Sequence, residues 1–350
     1  MIIRVMVVDD SVVVRRFISE VIASDPQLEV VATAANGKLA LQRLNQVEVD
    51  LVTLDVDMPE LDGIATLREL RKRRPGLPVL MFSSATSRAA ATTIEALTLG
   101  ANDYLTKPEG LAGLEAARAR LKQELIPKIK ALCPAPRTAT IPILLDLPAP
   151  LTAPVTAVAI GVSTGGPSAL HTILSALPAA LPVPIFIVQH MPATFTAQLA
   201  IRLQQATALA VSEVQVPARV EPGRIYLAPG DFHLVVDKSP GGLTVRTNQD
   251  PPEGSCRPAA DVLFRSVATA YGAGCLGVVL TGMGADGVRG CEAIKHHGGS
   301  VIVQDRASSV VWGMPGAVVK ARLADAIVPL DRIAFEITRR IRASTRARVA

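Results

Sequence analysis

Short runs of apolar, often β-branched residues alternate with longer amphipathic stretches from residue 2 to about residue 129. In the longer stretches the apolar positions recur about every 3.6 residues, which is typical of helices that bury one face. The apolar runs are nearly continuous, as expected for strands in a parallel sheet covered on both faces. The pattern predicts an α/β, flavodoxin-like (βα)5 domain with a parallel doubly wound sheet, whose strands are IIRVMVV, LEVVATA, DLVTLD, PVLMFSS and DYLT.

Prolines interrupt this alternation between residues 127 and 154. Because proline lacks a backbone N–H and favours extended backbone, residues 127–154 are predicted to form a linker. The alternation resumes at residue 155, and Gly241-Gly242 predicts the turn of an antiparallel hairpin. We therefore predict two domains, residues 1–126 and 155–350, the second being doubly wound, mainly parallel α/β with strands VTAVAIG, PIFIVQH, RIYLAPG, HLVVD, GLTVRT, LGVVLTG and SVIVQD.

Composition narrows the class of protein. A chain of 350 residues that is 49% hydrophobic fills two cores. The net charge of +5 comes partly from two basic segments, RKRR at residues 71–74 and RRIRASTRAR at residues 339–348. The first lies at a predicted helix end, and both are expected to be solvated surfaces rather than a nucleic-acid site. Four scattered cysteines and the absence of a secretory segment predict a cytoplasmic location. Prolines also break the apolar stretch 141–162, so no membrane insertion is expected.

Three carboxylates follow strands of the first predicted sheet. Asp9 and Asp10 follow the first strand and Asp55 ends the third, so a parallel sheet brings them to one edge. Their mutual repulsion favours a hard cation such as Mg²⁺. Ser83 and Lys107, at the fourth and fifth strand ends, supply the hydroxyl and the cation that phosphoryl transfer to a carboxylate requires. Singly, each residue is also consistent with a helix cap or a surface turn.

The motifs VVDDS, LTLDVDMPELDG, PVLMFSS and DYLTKP resemble the response-regulator receiver family over about residues 1–124. The resemblance implies that Asp55 accepts phosphate from a histidine kinase and that Ser83 and Lys107 contact the phosphoryl group. Ser84, next to Ser83, is the alternative hydroxyl and otherwise a turn residue. Tyr104 is the implied switch aromatic. The implied Mg²⁺ ligands are Asp9, Asp10, Asp55 and the backbone carbonyl of Asp57.

In the second domain, GVSTGGP after an apolar strand matches the G-x-S-x-G pattern, in which a serine nucleophile sits on a sharp strand-to-helix turn. This makes Ser163 a candidate nucleophile. The helix start that follows offers free backbone N–H groups for an oxyanion. A glycine-rich turn of this kind is equally consistent with a phosphate cradle or a plain turn.

A serine nucleophile needs a base, and the chain has five histidines. His190 ends the strand PIFIVQ and reaches the same edge as Ser163, whereas His233, which begins a strand, is the second candidate. Asp286 arrives there in the loop TGMGADG and is the predicted orienting acid, with Asp231 as the alternative. The remaining histidines are predicted to lie on a helix or at a helix C-terminus: His171, His296 and His297.

The set GVSTGGPSAL, VQHMP, APGD, RPAADVLF, LTGMGADG and SSVVWGMP resembles the protein-glutamate methylesterases of bacterial chemotaxis over about residues 155–330. The resemblance implies Ser163 as nucleophile, His190 as base and then acid, and Asp286 as the residue that fixes the imidazole tautomer. It implies a Met283 N–H in the oxyanion hole and, as substrate, glutamate γ-methyl esters on the cytoplasmic helices of chemoreceptors. It also implies activation by phosphorylation and, in some relatives, receptor glutamine deamidation, with no cofactor for hydrolysis.

Several positions depart from the expected family pattern. Cys256, Ala259 and Arg306 differ from it and place substrate selection in doubt, while Arg257 and Arg306 are by default surface cations. Two other functions stay open at this point. One is a transcription regulator, which would need a helix-turn-helix element after the linker, and the other is a receiver joined to a catalytically silent adaptor. We expect a monomer that binds no nucleic acid.

Overall fold

The computed structural model describes residues 2–107, 114–134 and 153–346. The chain divides into two compact units, Met1–Ile141 and Pro142–Ala350. Most of the predicted linker, residues 135–152, lies outside the described residues.

The first unit alternates strands and helices as predicted. Its strands are β1 Ile3–Val8, β2 Leu28–Ala34, β3 Leu51–Asp55, β4 Val79–Ser83 and β5 Asp103–Thr106, and its helices are α1 Val12–Ala23, α2 Gly37–Arg43, α3 Gly63–Arg73, α4 Ser87–Thr98 and α5 Leu114–Leu132. The strands form one sheet in the order β2-β1-β3-β4-β5, and all neighbours are parallel. The predicted (βα)5 fold is confirmed.

Helices α1 to α4 each begin at a residue whose side chain accepts a backbone N–H from the first turn: Ser11, Asn36, Asp62 and Thr86. Such caps satisfy N–H groups that have no partner within the helix. They also fix where each loop from the sheet ends and its helix begins.

Helix α5 differs from the sequence prediction at its C-terminal end. It continues through Pro127 to Leu132, so residues 127–132, assigned above to the linker, are helical. Proline removes one hydrogen bond from a helix, but Leu125 and Ile129 are fully buried on this helix and Lys128 pairs with Asp103 at 2.6 Å. Packing and ion pairing therefore outweigh the local cost of the proline.

The second unit is also α/β. Its strands are β6 Ala157–Val162, β7 Ile185–Gln189, β8 Ala210–Glu213, β9 Ala218–Arg219, β10 Arg224–Leu227, β11 His233–Ser239, β12 Gly242–Asn248, β13 Cys275–Val279, β14 Ser300–Gln304 and β15 Ala326–Val328. Its helices are α6 Gly166–Ser175, α7 Ala193–Ala206, α8 Ala260–Tyr271, α9 Val288–His296, α10 Met314–Lys320 and α11 Leu330–Arg346.

Seven of these strands form a parallel sheet in the order β15-β14-β13-β6-β7-β10-β8. A separate small sheet contains β11, β12 and β9, and the predicted hairpin at Gly241-Gly242 joins β11 to β12. The mainly parallel doubly wound sheet is thus confirmed. A parallel sheet of this kind occupies the part of the chain where a transcription regulator would need a helix-turn-helix element.

The core of the second unit lies between the large sheet and the helices on it. Strands β6, β7 and β13 are buried along their whole length, and Phe264 of α8 packs in the same cluster. Arg340 corrects the prediction for the basic C-terminal segment, because its side chain is 1% exposed and pairs with Glu336 at 2.6 Å. Across the described ranges, none of the helices combines the length and the apolar character needed to cross a bilayer.

Candidate functional site

Each large sheet has a point where the strand order reverses, and ligands of open α/β sheets bind outside the strand ends there. In the first unit this point lies between β1 and β3. Asp9 follows β1 and Asp55 ends β3, and both are almost fully buried, whereas Asp10 is exposed. Oxygens of these three carboxylates lie within 4.8 Å of one another. The predicted acidic cluster is therefore present in the fold.

Lys107 reaches into this cluster from the end of β5. Its Nζ lies 2.8 Å from Asp9 Oδ2 and 2.8 Å from Asp55 Oδ2. Burial raises the pKa of Asp55 to about 6; Lys107 opposes that shift and the charge of Asp9 adds to it. Burial acts to lower the pKa of Lys107, but the two carboxylates outweigh it and the net shift is upward. The negative charge of Asp55 is therefore only partly balanced by the groups around it.

The donor set fits Mg²⁺. Hard divalent cations prefer carboxylate and carbonyl oxygens, and here the buried Oδ2 atoms of Asp9 and Asp55 have Lys107 as their only described cationic partner. The Asp57 side chain is exposed, while its backbone N–H donates to Asp55 Oδ1 at 3.4 Å. Its predicted role through the backbone carbonyl remains a prediction.

The other predicted receiver residues lie around the same strand ends. Ser83 is buried, and its hydroxyl lies 3.2 and 3.3 Å from the carbonyl oxygens of Ser84 and Ala89, to either of which it can donate. Ser84 is half-buried, with its hydroxyl 3.4 Å from that of Thr86. Tyr104 is 7% exposed, with the Lys128 ammonium 5.6 Å from its ring centre. The assignment of Ser83 rather than Ser84 to phosphoryl contact stays a prediction.

In the second unit the strand order reverses between β6 and β13. Ser163 follows β6, and the loop from Thr281 to Asp286 follows β13. The Ser163 N–H donates to the Thr281 carbonyl at 3.0 Å, which ties the two strand ends together. Gly165 adopts a left-handed φ of 77°, which makes the sharp turn into α6 possible. These features produce the predicted strand-to-helix turn with Ser163 half-buried on it.

Gly282 allows the β13 loop to approach Ser163 closely. A Cβ at Gly282 would lie 2.8 Å from Ser163 Cβ and 2.4 Å from Met314 Sδ, both inside ordinary van der Waals contact. The next residue, Met283, is 38% exposed, and its backbone is predicted to supply an oxyanion donor. A side chain at position 282 would therefore force the β13 loop and the Ser163 turn apart.

His190 and Asp286 form the central contact of this site. His190 Nε2 lies 2.7 Å from Asp286 Oδ2, and the side chains are 16% and 6% exposed. Asp286 also accepts the N–H of Ala260 at 2.6 Å and that of Asp261 at 2.9 Å, the first two residues of α8. A carboxylate at a helix N-terminus is stabilised by the free N–H groups and the helix dipole. Asp286 is thereby fixed in place as an anion.

The ion pair shifts both pKa values. Burial favours the neutral form of each group, but their mutual contact, and for His190 also the nearby Cys256, prevails, so the pKa of His190 is raised and that of Asp286 is lowered. Because a carboxylate only accepts, the proton of the neutral imidazole lies on Nε2. Nδ1 is then the nitrogen left to act as a base.

The group nearest to Nδ1 is the thiol of Cys256, whose Sγ lies 3.9 Å away. Among the described residues, no hydrogen bond joins Ser163 Oγ to His190. Long or missing hydrogen bonds between nucleophile and base are common before substrate binds. Sequence reasoning noted Cys256 as a departure from the family pattern but did not predict its position beside His190.

Gln189 was missed altogether. Its side chain is buried, and Nε2 donates to the Ser163 carbonyl at 3.0 Å and to the His190 carbonyl at 3.3 Å. A Cβ at Gly166 would lie 1.9 Å from Gln189 Oε1, so the amide packs directly against the turn. A polar residue at the end of an otherwise apolar strand was the feature of the sequence that could have indicated its position beside the site.

The alternative residues have structural contacts instead. His233 is fully buried, where Nδ1 accepts the Ala259 N–H and Nε2 lies 3.2 Å from the Pro251 carbonyl. Asp231 pairs with Arg257 at 2.6 Å. Arg257 also donates to two backbone carbonyls, so this partly exposed cation holds the loop around residues 249–257 together. Arg306 is exposed, with its guanidinium 5.9 Å from the Trp312 ring centre.

The three remaining histidines lie where the sequence placed them. His171 is on α6, His296 ends α9, and His297 caps that helix with Nδ1 2.8 Å from the Ala293 carbonyl. The elimination leaves His190 as the histidine that contacts a carboxylate at the strand ends beside Ser163. The roles of Ser163, His190 and Asp286 in a reaction stay predictions.

Comparison with known proteins agrees with this architecture. Residues 158–337 match the CheB methylesterase family model, and residues 5–118 match the response regulator receiver domain model. A protein-glutamate methylesterase/protein-glutamine glutaminase of Trichodesmium erythraeum is 48% identical over 347 residues, which cover 97% of this chain and 99% of the relative. A protein with the same name from a Nocardioides species is 46% identical, with 97% and 95% covered.

A solved structure matches the second unit. The catalytic domain of the Thermotoga maritima CheB methylesterase is 39% identical, with a TM-score of 0.52, covering 54% of this chain and 98% of that domain. Matches of this extent, in both parts of the chain and in the same order, determine the family. The chain belongs to the CheB methylesterase family and carries a response regulator receiver domain in front of the methylesterase domain.

Proposed function

We propose that the chain hydrolyses glutamate γ-methyl esters on the cytoplasmic helices of chemoreceptors and that phosphorylation of Asp55 activates this reaction. The observation that carries the proposal is the 2.7 Å contact between His190 Nε2 and Asp286 Oδ2 at the strand ends where Ser163 lies. The names of the relatives support both the ester substrate and a second activity, deamidation of protein glutamine, which we propose acts on the same receptors.

In the proposed reaction Ser163 Oγ attacks the ester carbonyl while His190 Nδ1 takes the hydroxyl proton. Asp286 holds the Nε2 proton and stabilises the imidazolium that forms. The Met283 N–H donates to the developing oxyanion. His190 then protonates the departing methoxide, methanol leaves, and water hydrolyses the acyl-serine by the reverse proton transfers.

Deamidation fits the same site. A glutamine side chain presents a carbonyl to Ser163 Oγ in the same geometry, and ammonia leaves in place of methanol after protonation by His190. Both products are glutamate. The hydrolysis requires no cofactor, because the base, the orienting carboxylate and the oxyanion donor all come from the chain.

Receiver domains are in general phosphorylated in a Mg²⁺-dependent reaction, and a kinase is their phosphodonor. We propose that Asp55 is the acceptor here, with a chemotaxis histidine kinase as donor. Asp9, Asp10, Asp55 and the Asp57 carbonyl would hold Mg²⁺, which when bound compensates the phosphoryl charge. Lys107 Nζ and the Ser83 hydroxyl contact the phosphoryl oxygens, and Tyr104 changes its rotamer with the state of the domain.

Three observations support this assignment. Lys107 already bridges Asp9 and Asp55, so its ammonium is within reach of a group added to Asp55. The raised pKa of Asp55 marks a carboxylate with little stabilisation of its charge, which suits a nucleophile. The short contact from the Lys107 N–H to the Ser83 carbonyl, 2.7 Å, holds the two strand ends together.

Release of methanol from a methylated receptor fragment tests the proposal. We expect wild-type chain to release methanol faster in the presence of Mg²⁺ and a small-molecule phosphodonor, and we expect Ser163→Ala to abolish release. Asp55→Asn should keep the unstimulated rate and lose the stimulation. Hydrolysis that survives Ser163→Ala refutes the nucleophile, whereas equal rates with and without phosphodonor refute the regulation.

A further inference from the structure

Cys256 lies at the base nitrogen of the proposed catalytic histidine, in a position that the hydrolysis does not use. Its Sγ is 3.9 Å from His190 Nδ1, on the opposite side of the ring from the Asp286 contact. The thiol is half-buried and not in a disulfide. A thiol and an imidazole nitrogen that face each other in a partly accessible site can both bind the same thiophilic metal ion.

The loop that carries Cys256 is firmly held. Glu253 and Cys256 exchange two backbone hydrogen bonds, of 3.1 and 2.9 Å, across a turn in which Gly254 and Ser255 have positive φ. Glu253 in turn pairs with Arg265 of α8, the helix whose first N–H groups bind Asp286. The thiol and the carboxylate are therefore both positioned by α8.

The donor atoms are those that zinc prefers. Three possible ligand atoms lie within 4.8 Å of one another, one each from Cys256, His190 and Asp286. Thiolate and imidazole bind Zn²⁺ at about 2.3 and 2.0–2.1 Å, so a tetrahedral ion separates sulfur and nitrogen by about 3.6 Å. The observed 3.9 Å between Sγ and Nδ1 is close to this separation, and a shift of a few tenths of an ångström would close it.

Asp286 completes the arrangement through the other ring nitrogen. Metal-binding histidines usually donate their second N–H to a carboxylate, which fixes the ring and strengthens the ligand. The 2.7 Å contact from Nε2 to Asp286 already has this form. The acidic cluster of the first unit offers oxygen atoms alone and so suits Mg²⁺ rather than a thiophilic ion.

We propose that Cys256 Sγ and His190 Nδ1 bind a divalent cation of the zinc class, with water in the remaining positions, and that the bound ion inhibits hydrolysis. Binding releases the thiol proton to solvent, together with the Nδ1 proton where His190 is charged, and forms one metal–sulfur and one metal–nitrogen bond. His190 then has no free lone pair with which to accept the Ser163 proton. The binding site stands on the geometry alone, whereas the inhibition rests on the proposed function.

Titration of the full chain with Co²⁺ in excess Mg²⁺ tests the binding. Cobalt bound to a thiolate gives a charge-transfer absorption in the near ultraviolet, and we expect Zn²⁺ to displace it. Cys256→Ser should abolish the absorption and weaken zinc binding at least about tenfold, since loss of even an outer-shell partner costs about 10- to 100-fold. Cys133→Ser is the matched control, since Cys133 is also half-buried and not in a disulfide, and it should leave the absorption intact.

Inhibition is measured as the rate of methanol release in the presence of Zn²⁺ divided by the rate without it. For each variant, the rate without Zn²⁺ is that of the same variant treated with chelator. We expect zinc to slow the wild type about tenfold or more, reversibly with chelator, and to slow Cys256→Ser by less than about twofold. The proposal is overturned if the wild type shows no thiolate–cobalt absorption, or if the absorption survives Cys256→Ser. A chain that binds cobalt in this way but releases no methanol refutes the proposed hydrolysis and leaves the metal site standing.

Discussion

Replacement of Asp286 by asparagine probes the proposed triad most directly. The carboxylate accepts three hydrogen bonds, from His190 Nε2, Ala260 N–H and Asp261 N–H. Asparagine keeps the size but turns one oxygen into an NH₂ group. In one orientation that NH₂ faces the Asp261 N–H, and in the other it faces the Ala260 N–H and His190. Each orientation therefore brings two donors together.

The magnitude follows from these two orientations. A donor left unpaired in a buried site costs about 1–3 kcal/mol. The second orientation also donates to Nε2, which moves the imidazole proton to Nδ1 and removes the base. Loss of one charge from a buried ion pair costs about 3–5 kcal/mol. If this whole cost destabilises the imidazolium that forms in the transition state, the rate falls about 10²- to 10⁴-fold. We expect a loss of kcat in this range.

The assay is methanol release from a methylated receptor fragment across about pH 5 to 10. Besides the lower rate, the midpoint of the pH profile should fall toward the ordinary histidine pKa, because the carboxylate that raises the pKa of His190 is gone. Asp231→Asn is the matched control, since Asp231 pairs with Arg257 instead of a histidine. An Asp286→Asn variant with at least about a third of wild-type kcat and an unchanged profile refutes the triad.

Three further outcomes are expected. The wild-type rate should rise with pH around a midpoint above 6.5, since only neutral His190 accepts a proton and its pKa is raised; a midpoint at or below 6.5 contradicts this. Gly282→Ala should lower kcat about 10- to 100-fold, because the new Cβ displaces Ser163 or Met314, and crystallography of the variant would show which moves. Asp55→Asn should raise the free energy of unfolding at pH 7 by up to about 3 kcal/mol, measured by urea denaturation of the full chain. Asp55 has a folded pKa of about 6 against an ordinary 3.8, so its protonation stabilises the fold fully below pH 3.8, and this effect is lost as the pH rises through about 6. The variant should therefore have no advantage in the free energy of unfolding at pH 3, and an advantage that persists there is inconsistent with this cause.

The sequence was most informative where chemistry coincides with the ends of buried strands. Apolar runs located β1, β3 and β6, and a parallel sheet then forces Asp9, Asp55 and Ser163 to carboxyl ends. The short strands β8, β9 and β15 were not predicted, because they are exposed or only partly buried and lack a long apolar run. Helix α5 passed beyond its predicted end because buried contacts outweighed Pro127.

The finer geometry of the site was not accessible in this way. The position of Cys256 depends on a turn with two positive φ angles and on the Glu253–Arg265 pair, neither of which has a periodic signature. Likewise, the sequence selected His190 and Asp286 but could not tell which ring nitrogen meets the carboxylate. That choice depends on α8, whose N–H groups fix the side of the ring on which Asp286 lies.

The two proposed aspartates show how similar locations give opposite chemistry. Asp55 and Asp286 both lie at the strand-order reversal of a parallel sheet, and both are largely buried. Around Asp55, burial outweighs the compensation from the Asp57 N–H and from Lys107, which is shared with Asp9, so the pKa is raised. Around Asp286, two helix N–H groups and His190 compensate the charge, so the pKa is lowered and the group serves as a fixed anion. The donors around each carboxylate, rather than its place in the fold, therefore distinguish the proposed phosphate acceptor from the proposed orienting acid.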